Sequence, residues 1–302
     1  MTNVAATAAR ETVVLSTGRS RDRNLKSMAF LLALWFSLFF GVMVLLVLIV
    51  STVIDGAPRF DGELLTKYSS TLRPEQTGYR AGILGSVWVM VTTAALAVPL
   101  GIAAALYLEE FANPKRWYNQ IIEVNLQNLA AVPSIVYGLL AVAAVTAAGI
   151  TERGLVISGA VALALLILPV IIITTREAVR AVPREIRDGS LALGATVWQT
   201  TWRQTLPSAI PGIATGTILG LSRAIGEAAP LLMIGTATAI RFDPNGLMSQ
   251  FTALPLQIYS ETSQSREELR VAASAAIIVL LVMILALNAL AIFIRNKFHR
   301  TW

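Results

Sequence analysis

The sequence predicts an all-α polytopic membrane protein with six transmembrane helices. Hydrophobic residues make up 55% of the 302 residues, charged residues only 14%, and the mean hydropathy is +0.67. A soluble domain carries roughly a quarter charged residues, so this chain has too few charges for a soluble surface. Six stretches each supply the about 20 mostly apolar residues that a spanning helix needs. The composition therefore excludes a soluble enzyme, a secreted disulfide domain and a disordered tail.

The six predicted spans follow one another with short or moderate connections. The first, residues 28–54, carries no charge and is too long for a cleavable signal peptide. The fifth differs from the others because it contains two charged residues, Arg223 and Glu227. The remaining predicted spans cover residues 81–108, 124–148, 155–174, 212–239 and 271–294.

The distribution of basic residues predicts which ends of the spans are cytoplasmic. Six spans place both termini on one side, and the segments on that side hold 15 Lys and Arg residues against 8 in the opposite segments. Because cytoplasmic segments carry the excess of Lys and Arg, we expect both termini in the cytoplasm. The predicted parts are an N-terminal tail (1–27), a first transmembrane helix (28–54), a five-helix core (80–295) that contains a cytoplasmic loop (175–211), and a C-terminal tail (296–302).

Several kinds of chemistry are missing from the sequence. There is no Cys, so disulfides, thiolate metal sites and Cys nucleophiles are excluded, and the single His, His299, lies in the C-terminal tail, where it is expected to be solvated. The chain has no P-loop motif, so any ATP must be bound by another protein. The sequence predicts no catalytic residue, no metal site and no cofactor in this chain. The net charge of +6 is assigned to basic loops at a membrane rather than to nucleic-acid binding.

Residues 251–259 lie in the predicted outer segment 240–270 but are too apolar for a free loop. Two interpretations are open. The segment is re-entrant or pressed against the helices, or it is a short amphipathic stretch at the membrane interface. Its length favours the interfacial interpretation.

The fifth span carries a stripe of small residues at every fourth position. Such a stripe lets a second helix approach closely, because no side chain holds the two backbones apart. The alternative is a lipid-facing helix that merely contains Gly and Ala, but five consecutive matches favour a packing seam. The stripe consists of Gly212, Gly216, Gly220, Ala224 and Ala228.

Arg223 and Glu227 are the strongest chemical signal in the sequence. Arg223 lies about 18 Å along the predicted helix from Pro211, near the middle of a roughly 30 Å apolar core. A charge at that depth is expensive, and a spacing of four residues lets the two side chains pair. A purely structural salt bridge is possible, but buried ion pairs return little stability, so we favour an anion pathway in which the planar Arg donors meet an oxyanion.

The cytoplasmic loop 175–211 is too structured for a simple linker. Residues 188–194 predict a short helix stopped by Gly194, and residues 196–206 predict a second helix ended by Pro207. An amphipathic helix on this face either lies on the lipid surface or fits a groove on a soluble partner, and periodicity does not separate the two.

Two motifs resemble a known family. Asp188-Gly189-Ser190, then Gly194, then Leu206-Pro207 resembles the EAA loop of ABC importer permeases, with Asp in place of Glu and Gly-Ser in place of Ala-Ala. The run 222–230, together with 251–259, resembles the PstA family of phosphate importer permeases.

This resemblance implies a type I ABC importer permease with a MetI-like core formed by spans two to six and an extra N-terminal span. It implies a PstC-like second permease, a PstB-like ATPase dimer that uses ATP and Mg, and a PstS-like phosphate-binding protein. The motif positions from Asp188 to Pro207 would couple to the ATPase, and Arg223 and Glu227 would line the path of inorganic phosphate through the bilayer. Alternatives are the same architecture for sulfate or molybdate, a proton-coupled anion transporter with Glu227 as proton carrier, and a scaffold that transports nothing.

Overall fold

The computed structural model describes residues 25–113 and 115–298. The predicted tail before residue 25 and His299 lie outside the described residues. Within them there is no β-strand, only one isolated antiparallel bridge between Leu155 and Gln250, so the all-α prediction is confirmed. The longer helices are α1 (Leu25–Gly56), α3 (Arg80–Leu106), α4 (Trp117–Leu129), α5 (Ser134–Ala147), α6 (Val156–Arg180), α9 (Leu206–Ile225) and α12 (Glu267–Phe298). The shorter helices are α2 (Gly62–Thr66), α7 (Arg184–Ala192), α8 (Val197–Thr200), α10 (Ala229–Met233) and α11 (Leu254–Thr262).

The chain divides into two compact units, residues 1–50 and 51–302. The described part of the first unit is the apolar stretch of α1, whose side chains from Met28 to Val50 are almost all exposed. An uninterrupted apolar helix with an exposed surface is the pattern of a segment solvated by lipid.

Helix α6 is the central element of the second unit. Its side chains Leu163, Ile167 and Ile171 are fully buried, and α3, α5 and α9 pack around it. Helix α6 is apolar on nearly every face, which is why it can be surrounded by other helices. This arrangement places the predicted fifth span, which carries the two charges, directly against the centre of the unit.

Residues 251–256 run through the core rather than along its surface. Phe251, Leu254 and Leu256 are completely buried, and the ring of Phe251 fits against Gly159 of α6. Backbone N–H groups at the start of α6 donate to the carbonyls of Ser249 and Leu247, which holds the segment in place. The prediction of an interfacial segment is therefore wrong, and the alternative, a segment pressed against the helices, is observed.

The predicted third span is not one helix. The chain bends by 120° between α4 and α5, and the break lies at residues 130–133. Pro133 causes the break, because proline disfavours helical backbone at the residue before it and has no N–H to continue the helix.

The predicted fifth span is also wrong in its bounds. The helix begins at Leu206, ends at Ile225, and is followed by Gly226 and the short helix α10 rather than by a continuous helix to residue 239. Gly226 closes the last turn by donating its N–H to the carbonyl of Arg223. Pro230 then occupies the first turn of α10, where its missing N–H costs nothing.

The loop 175–211 contains the first predicted helix but not the predicted end of the second. Helix α7 stops as expected at Gly194, whose φ of +87° favours glycine. Pro207, however, does not end a helix. It lies in the first turn of α9, which continues α8 through a wide π-helical turn at Thr201–Thr205. Because proline cannot donate to the carbonyl four residues earlier, the wider turn accommodates it without ending the helix.

Four helices in the described residues are long and apolar enough to cross a membrane, or five if the bent pair of α4 and α5 counts as one span. The four lie where spans one, two, four and six are predicted. Helix α9 is not among them. A polytopic membrane protein is therefore confirmed, and the count of six spans stays a prediction.

Candidate functional site

Arg223 and Glu227 lie at the end of α9, where the helix gives way to a short break. The Arg223 Nε atom is 3.6 Å from Oε1 of Glu227. The side chain of Arg223 is 46% exposed and that of Glu227 is 23% exposed, so the pair borders open space instead of being sealed in the core. The C-terminal end of a helix favours a cation, which suits Arg223. The guanidinium is held by one carboxylate and keeps donors available for a ligand.

Helix α5 packs against the break that follows this pair. Gly138 of α5 permits a close approach, because a Cβ at this position would lie 2.6 Å from the carbonyl oxygen of Pro230 and 2.8 Å from Cβ of Met233. One residue earlier, Tyr137 is buried, and its hydroxyl donates to the carbonyl of Leu129. Helix α5 therefore forms one side of the site, and its close contact with the backbone at Pro230 holds it there.

Helix α12 contributes a polar neighbour to the same region. Ser222, directly before Arg223, donates its hydroxyl to the carbonyl of Ile218 at 2.7 Å and also contacts the amide oxygen of Asn288 on α12. Asn288 lies within the long apolar stretch of this helix. A polar side chain in such a helix is costly unless it is bonded, so this contact links α12 to the charged end of α9.

The predicted small-residue stripe faces α6 over much of its length. A Cβ on Gly212 would lie 2.6 Å from Cβ of Ala178, and a Cβ on Gly216 would collide with the side chain of Thr174. Gly220 is less crowded, with ordinary contact distances of 3.6 and 3.7 Å to Ile171 and Ile167. Ala224 is buried, whereas Ala228 lies beyond the end of the helix, so the stripe on α9 ends at Ala224.

The predicted coupling residues lie on and beside α7. Asp188 and Gly189 are exposed on this helix, and the hydroxyl of Ser190 is 2.9 Å from that of Thr200 on α8. The residues of α7 and the following turns line an open cleft of about 490 Å³. Leu193 at the end of α7 is 91% exposed, and Leu191 beside it is also exposed, so this surface carries apolar side chains.

Leu206 and Pro207 lie further along, at the start of α9. Leu206 packs against a small cluster of buried residues that includes Ile213, whereas Pro207 is exposed. The structure thus separates the motif into an exposed part on α7 and an anchoring part at the base of α9.

A network of ion pairs lies behind α7. The Arg187 Nη2 atom is 3.0 Å from Oε1 of Glu110, and Arg176 lies 3.2 Å from Glu109 and 3.0 Å from Glu123. Arg176, Glu109 and Glu110 are each at most 15% exposed. Their placement ties α7 and the C-terminal end of α6 to the π-helical turn Tyr107–Phe111 that ends α3.

Sequence reasoning missed this network, and it also missed Tyr137, Gly138 and Asn288. Two signals were present in the sequence. An Asn within an otherwise apolar stretch of a predicted span is costly, and Glu109-Glu110 follow an apolar span directly.

The site leaves the Arg223 guanidinium bordering open space beside one carboxylate. The described residues contain no group of three or more His, Cys, Asp or Glu side chains that could hold a metal ion. A separate cavity of about 590 Å³ between α3 and α9 has a lining that is almost entirely apolar and does not include Arg223, so it is unsuited to an anion. The donors at Arg223 are the feature of α9 that an oxyanion can use.

Comparison with known proteins identifies relatives of the whole core. Residues 97–301 match the family described as "Binding-protein-dependent transport system inner membrane component". The chain is 34% identical over 282 residues to the phosphate transport system permease protein PstA of Mycobacterium leprae, a match that covers 89% of this chain and 87% of that protein. It is 32% identical over 266 residues to PstA of Yersinia pestis, covering 86% and 88%. A probable ABC transporter permease of Bacillus subtilis, YqgI, is 34% identical, over 63% of this chain and 64% of that protein.

Solved structures show the same fold at low sequence identity. A chain of the MetNI methionine ABC transporter superposes with a TM-score of 0.57 at 16% identity, covering 73% of this chain and 95% of that one. A chain of a bacterial ABC transporter involved in alginate import gives a TM-score of 0.58 at 15% identity, covering 91% and 96%. The predicted MetI-like fold class is thereby confirmed.

Proposed function

The chain belongs to the inner-membrane components of binding-protein-dependent transport systems, and within them to the PstA family, and on this premise we propose that it is a transmembrane subunit of an ATP-driven importer of inorganic phosphate. The observation that carries the proposal is the similarity to PstA proteins over nearly the whole chain, combined with an Arg that keeps free donors at the end of α9.

The partners follow from the architecture of such importers. A permease without an ATP-binding motif needs a separate ATPase, here a PstB-like dimer that uses ATP and Mg. A PstC-like permease completes the membrane part, and a PstS-like protein delivers phosphate from outside. Both termini, and with them α7, face the cytoplasm according to the charge distribution.

Helix α7 is the part that meets the ATPase. Its exposed Asp188 and Gly189 and the protruding Leu193 provide the contact surface. Closure of the ATPase on ATP draws the coupling helices of the two permeases together. Ser190, through Thr200, and Leu206, at the base of α9, pass this movement to the helix that carries Arg223.

Arg223 receives phosphate in the path, and Glu227 holds the guanidinium when phosphate is absent. A planar fork of N–H donors matches two oxygens of a tetrahedral oxyanion. The 3.6 Å separation from Glu227 is longer than a good charge-assisted hydrogen bond, so an anion can replace this partner at small cost. Weak holding is required, since a site that binds too tightly blocks turnover.

The test is ATP-dependent uptake of labelled phosphate by the assembled importer in proteoliposomes. Arg223→Gln should abolish uptake while the complex still purifies intact. Arg73→Gln, which removes an exposed Arg far along the chain, is the matched control and should transport normally. Normal uptake by the Arg223→Gln importer would remove Arg223 from the phosphate path. Uptake without ATP or ATPase would instead identify a secondary transporter.

A further inference from the structure

A small cavity of about 140 Å³ lies where α6 begins, next to the connection from α5. Since one liquid water occupies about 30 Å³, this volume admits several waters or one tetrahedral oxyanion. The cavity is lined by the polar side chains of Thr146, Thr151, Glu152, Arg153 and Ser158, and by the apolar side chains of Val142, Val145, Ile150 and Ile234.

Ser158 supplies a hydroxyl that has no protein partner. Its side chain is 4% exposed, and Oγ makes no hydrogen bond within the described residues. The usual partner of a helical Ser is the carbonyl four residues earlier, but Ser158 does not bond to that carbonyl, of Gly154, which accepts from the N–H of Phe251 at 3.2 Å. A buried hydroxyl without a partner is unfavourable, and a ligand in the cavity would satisfy it.

Arg153 places a cation at the same cavity. Its aliphatic stem packs against Gly235, where an added Cβ would lie 3.2 Å from Cβ of Arg153, and Gly235 itself has a φ of +77°. The guanidinium is exposed and forms no ion pair within 25–113 and 115–298. The stem is thus held while the charged end stays available, an arrangement suited to an anion.

The start of α6 and Glu152 add to the preference of this cavity for phosphate. The N-terminal end of a long helix carries partial positive charge, although the N–H groups of Val156 and Ile157 are already bonded to backbone carbonyls, so the side chains must make the direct contacts. The Glu152 carboxylate, whose contact with the amide of Gln250 is long at 3.4 Å, can accept a hydrogen bond from the P–OH group that phosphate retains at neutral pH. Sulfate has no such proton.

The cavity is joined to the Arg223 region through the backbone. The N–H of Gly154 donates to the carbonyl of Ile234 at 3.1 Å, and Ile234 directly follows α10, which begins two residues after Glu227. An anion leaving this cavity would therefore be beside the short segment that leads to the charged pair.

We propose that this cavity is a second oxyanion subsite, in which Arg153 and the hydroxyl of Ser158 hold inorganic phosphate at the outer end of α6 before it reaches Arg223. The subsite rests on the proposed function, because the predicted orientation places it on the side from which the binding protein delivers. A lipid headgroup presents the same phosphate chemistry, and the test below separates it from free phosphate.

The experiment measures binding of ³²P-labelled inorganic phosphate by equilibrium dialysis to the assembled importer, without nucleotide or binding protein, in detergent and in phospholipid nanodiscs. Measured with Arg223→Gln also present, so that only the outer cavity is titrated, Ser158→Ala should weaken binding about tenfold, as expected for a lost hydrogen bond to a charged group. Arg153→Gln should weaken it at least as much, and Arg153→Lys should recover part of the loss. In proteoliposomes, Ser158→Ala and Arg153→Gln should each transport phosphate more slowly than the wild type.

Two matched controls separate the subsite from general damage. Thr93→Val removes another buried hydroxyl that has no protein partner in the described chain, and Arg73→Gln removes an exposed cation. Both should bind phosphate normally. Unchanged binding in Ser158→Ala and Arg153→Gln would overturn the subsite, as would phosphate binding seen in detergent but absent in phospholipid nanodiscs, which would assign the cavity to a lipid headgroup.

Arg223→Gln distinguishes the failure of the subsite from that of the proposed function. Phosphate binding that persists in Arg223→Gln, and is lost when Arg153→Gln is added, supports two separate sites. Binding lost in Arg223→Gln but unaffected by Arg153→Gln overturns the subsite and leaves the proposed function standing. Normal phosphate uptake by Arg223→Gln contradicts the proposed phosphate path, whatever the binding results for Ser158→Ala and Arg153→Gln.

Discussion

Arg187 of α7 lies 3.0 Å from Glu110, one of the two acidic residues in the π-helical turn Tyr107–Phe111 that ends α3. The two side chains are 23% and 10% exposed, and Arg187 also donates to the carbonyl of Val179 at 2.6 Å. The pair therefore connects the helix proposed to meet the ATPase with two helices of the membrane core. A rigid connection of this kind is what a permease needs to convert movement of α7 into movement of the bundle.

Removing one partner of the Arg187–Glu110 pair should lower the stability of the folded chain. Glu110→Ala leaves the Arg187 charge poorly compensated in a largely buried position, and removal of one partner of a buried pair typically costs about 3–5 kcal/mol. We expect a loss toward the lower end of this range, because Arg187 is partly exposed. The measurement is thermal unfolding of the purified chain in detergent, together with ATP-driven uptake, which should fall more than ATP hydrolysis does.

The exposed pair Lys67–Glu63 provides the control for Glu110→Ala. It has a comparable separation of 2.7 Å, but its side chains are 41% and 44% exposed. Glu63→Ala should cost no more than about 0.5 kcal/mol, as is usual for exposed helix pairs. Equal losses in the two variants would show that the Arg187–Glu110 pair has no special role.

The packing of α9 on α6 predicts opposite effects of alanine at two glycines of one stripe. A Cβ on Gly216 collides with the Thr174 side chain, whose hydroxyl donates to the carbonyl of Val170 at 2.9 Å, so Gly216→Ala must displace a bonded group. Overpacking of this kind costs about 1–3 kcal/mol.

Gly220→Ala is the matched variant one turn further along. Its Cβ would meet Ile171 and Ile167 at 3.6 and 3.7 Å, which are ordinary contact distances. Since glycine within a helix is less favourable than alanine by about 0.5–1 kcal/mol, this variant should unfold at the same temperature or slightly higher. Thermal unfolding in detergent measures both. A Gly216→Ala chain as stable as the wild type would show that α6 can move away from α9.

The sequence predicts this fold well where long apolar runs decide the structure. Spans such as 155–174 are recovered because twenty apolar residues have few alternatives in a membrane. The stop at Gly194 is recovered because glycine readily adopts the required positive φ.

Prolines and tertiary contacts limit what the sequence predicts. Pro133 breaks a span, whereas Pro207 lies inside a continuing helix, and the difference depends on a π-helical turn that no local pattern signals. Residues 251–256 are buried because Gly85 and Gly159, far away in sequence, leave room for Phe251. The cost of placing charges in a predicted span indicates Arg223 and Glu227 as a site. Their position at the end of a helix is not predicted, because the sequence pattern does not show that the helix ends before Gly226.

Arg223→Lys tests whether the shape of the guanidinium matters in addition to its charge. Lysine keeps the charge but presents a single ammonium instead of a planar fork, so two oxygens of phosphate can no longer be bound side by side. We expect uptake reduced by about tenfold, corresponding to roughly one charge-assisted hydrogen bond, against complete loss in Arg223→Gln. Initial rates of phosphate uptake in proteoliposomes decide this, and full activity of Arg223→Lys would show that only the charge is used.

Glu261 predicts a pH dependence of stability. Its carboxylate is 3% exposed and accepts hydrogen bonds from Ser69, at 2.8 Å, and from the hydroxyl of Tyr79. Burial raises the pKa of Glu261 above its ordinary value of 4.5, although these bonds, the Gln257 amide and the charge of Arg59 act in the opposite direction. The same burial, with the nearby carboxylate, raises the pKa of Tyr79.

The sign follows from linkage. A carboxyl that holds its proton more tightly in the folded chain contributes stability that is fully present below pH 4.5, the pKa in the unfolded chain, and that is lost as the pH rises through the raised folded pKa. Glu261→Gln removes this titration while keeping size and hydrogen-bonding capacity. The variant should gain stability relative to the wild type as the pH increases from 4.5 to 8, measured as unfolding temperature in detergent. Glu75→Gln, at an exposed carboxylate, should follow the wild-type curve. A wild-type unfolding temperature that rises relative to Glu261→Gln over this range would mean that the hydrogen bonds and Arg59 outweigh burial at this carboxyl.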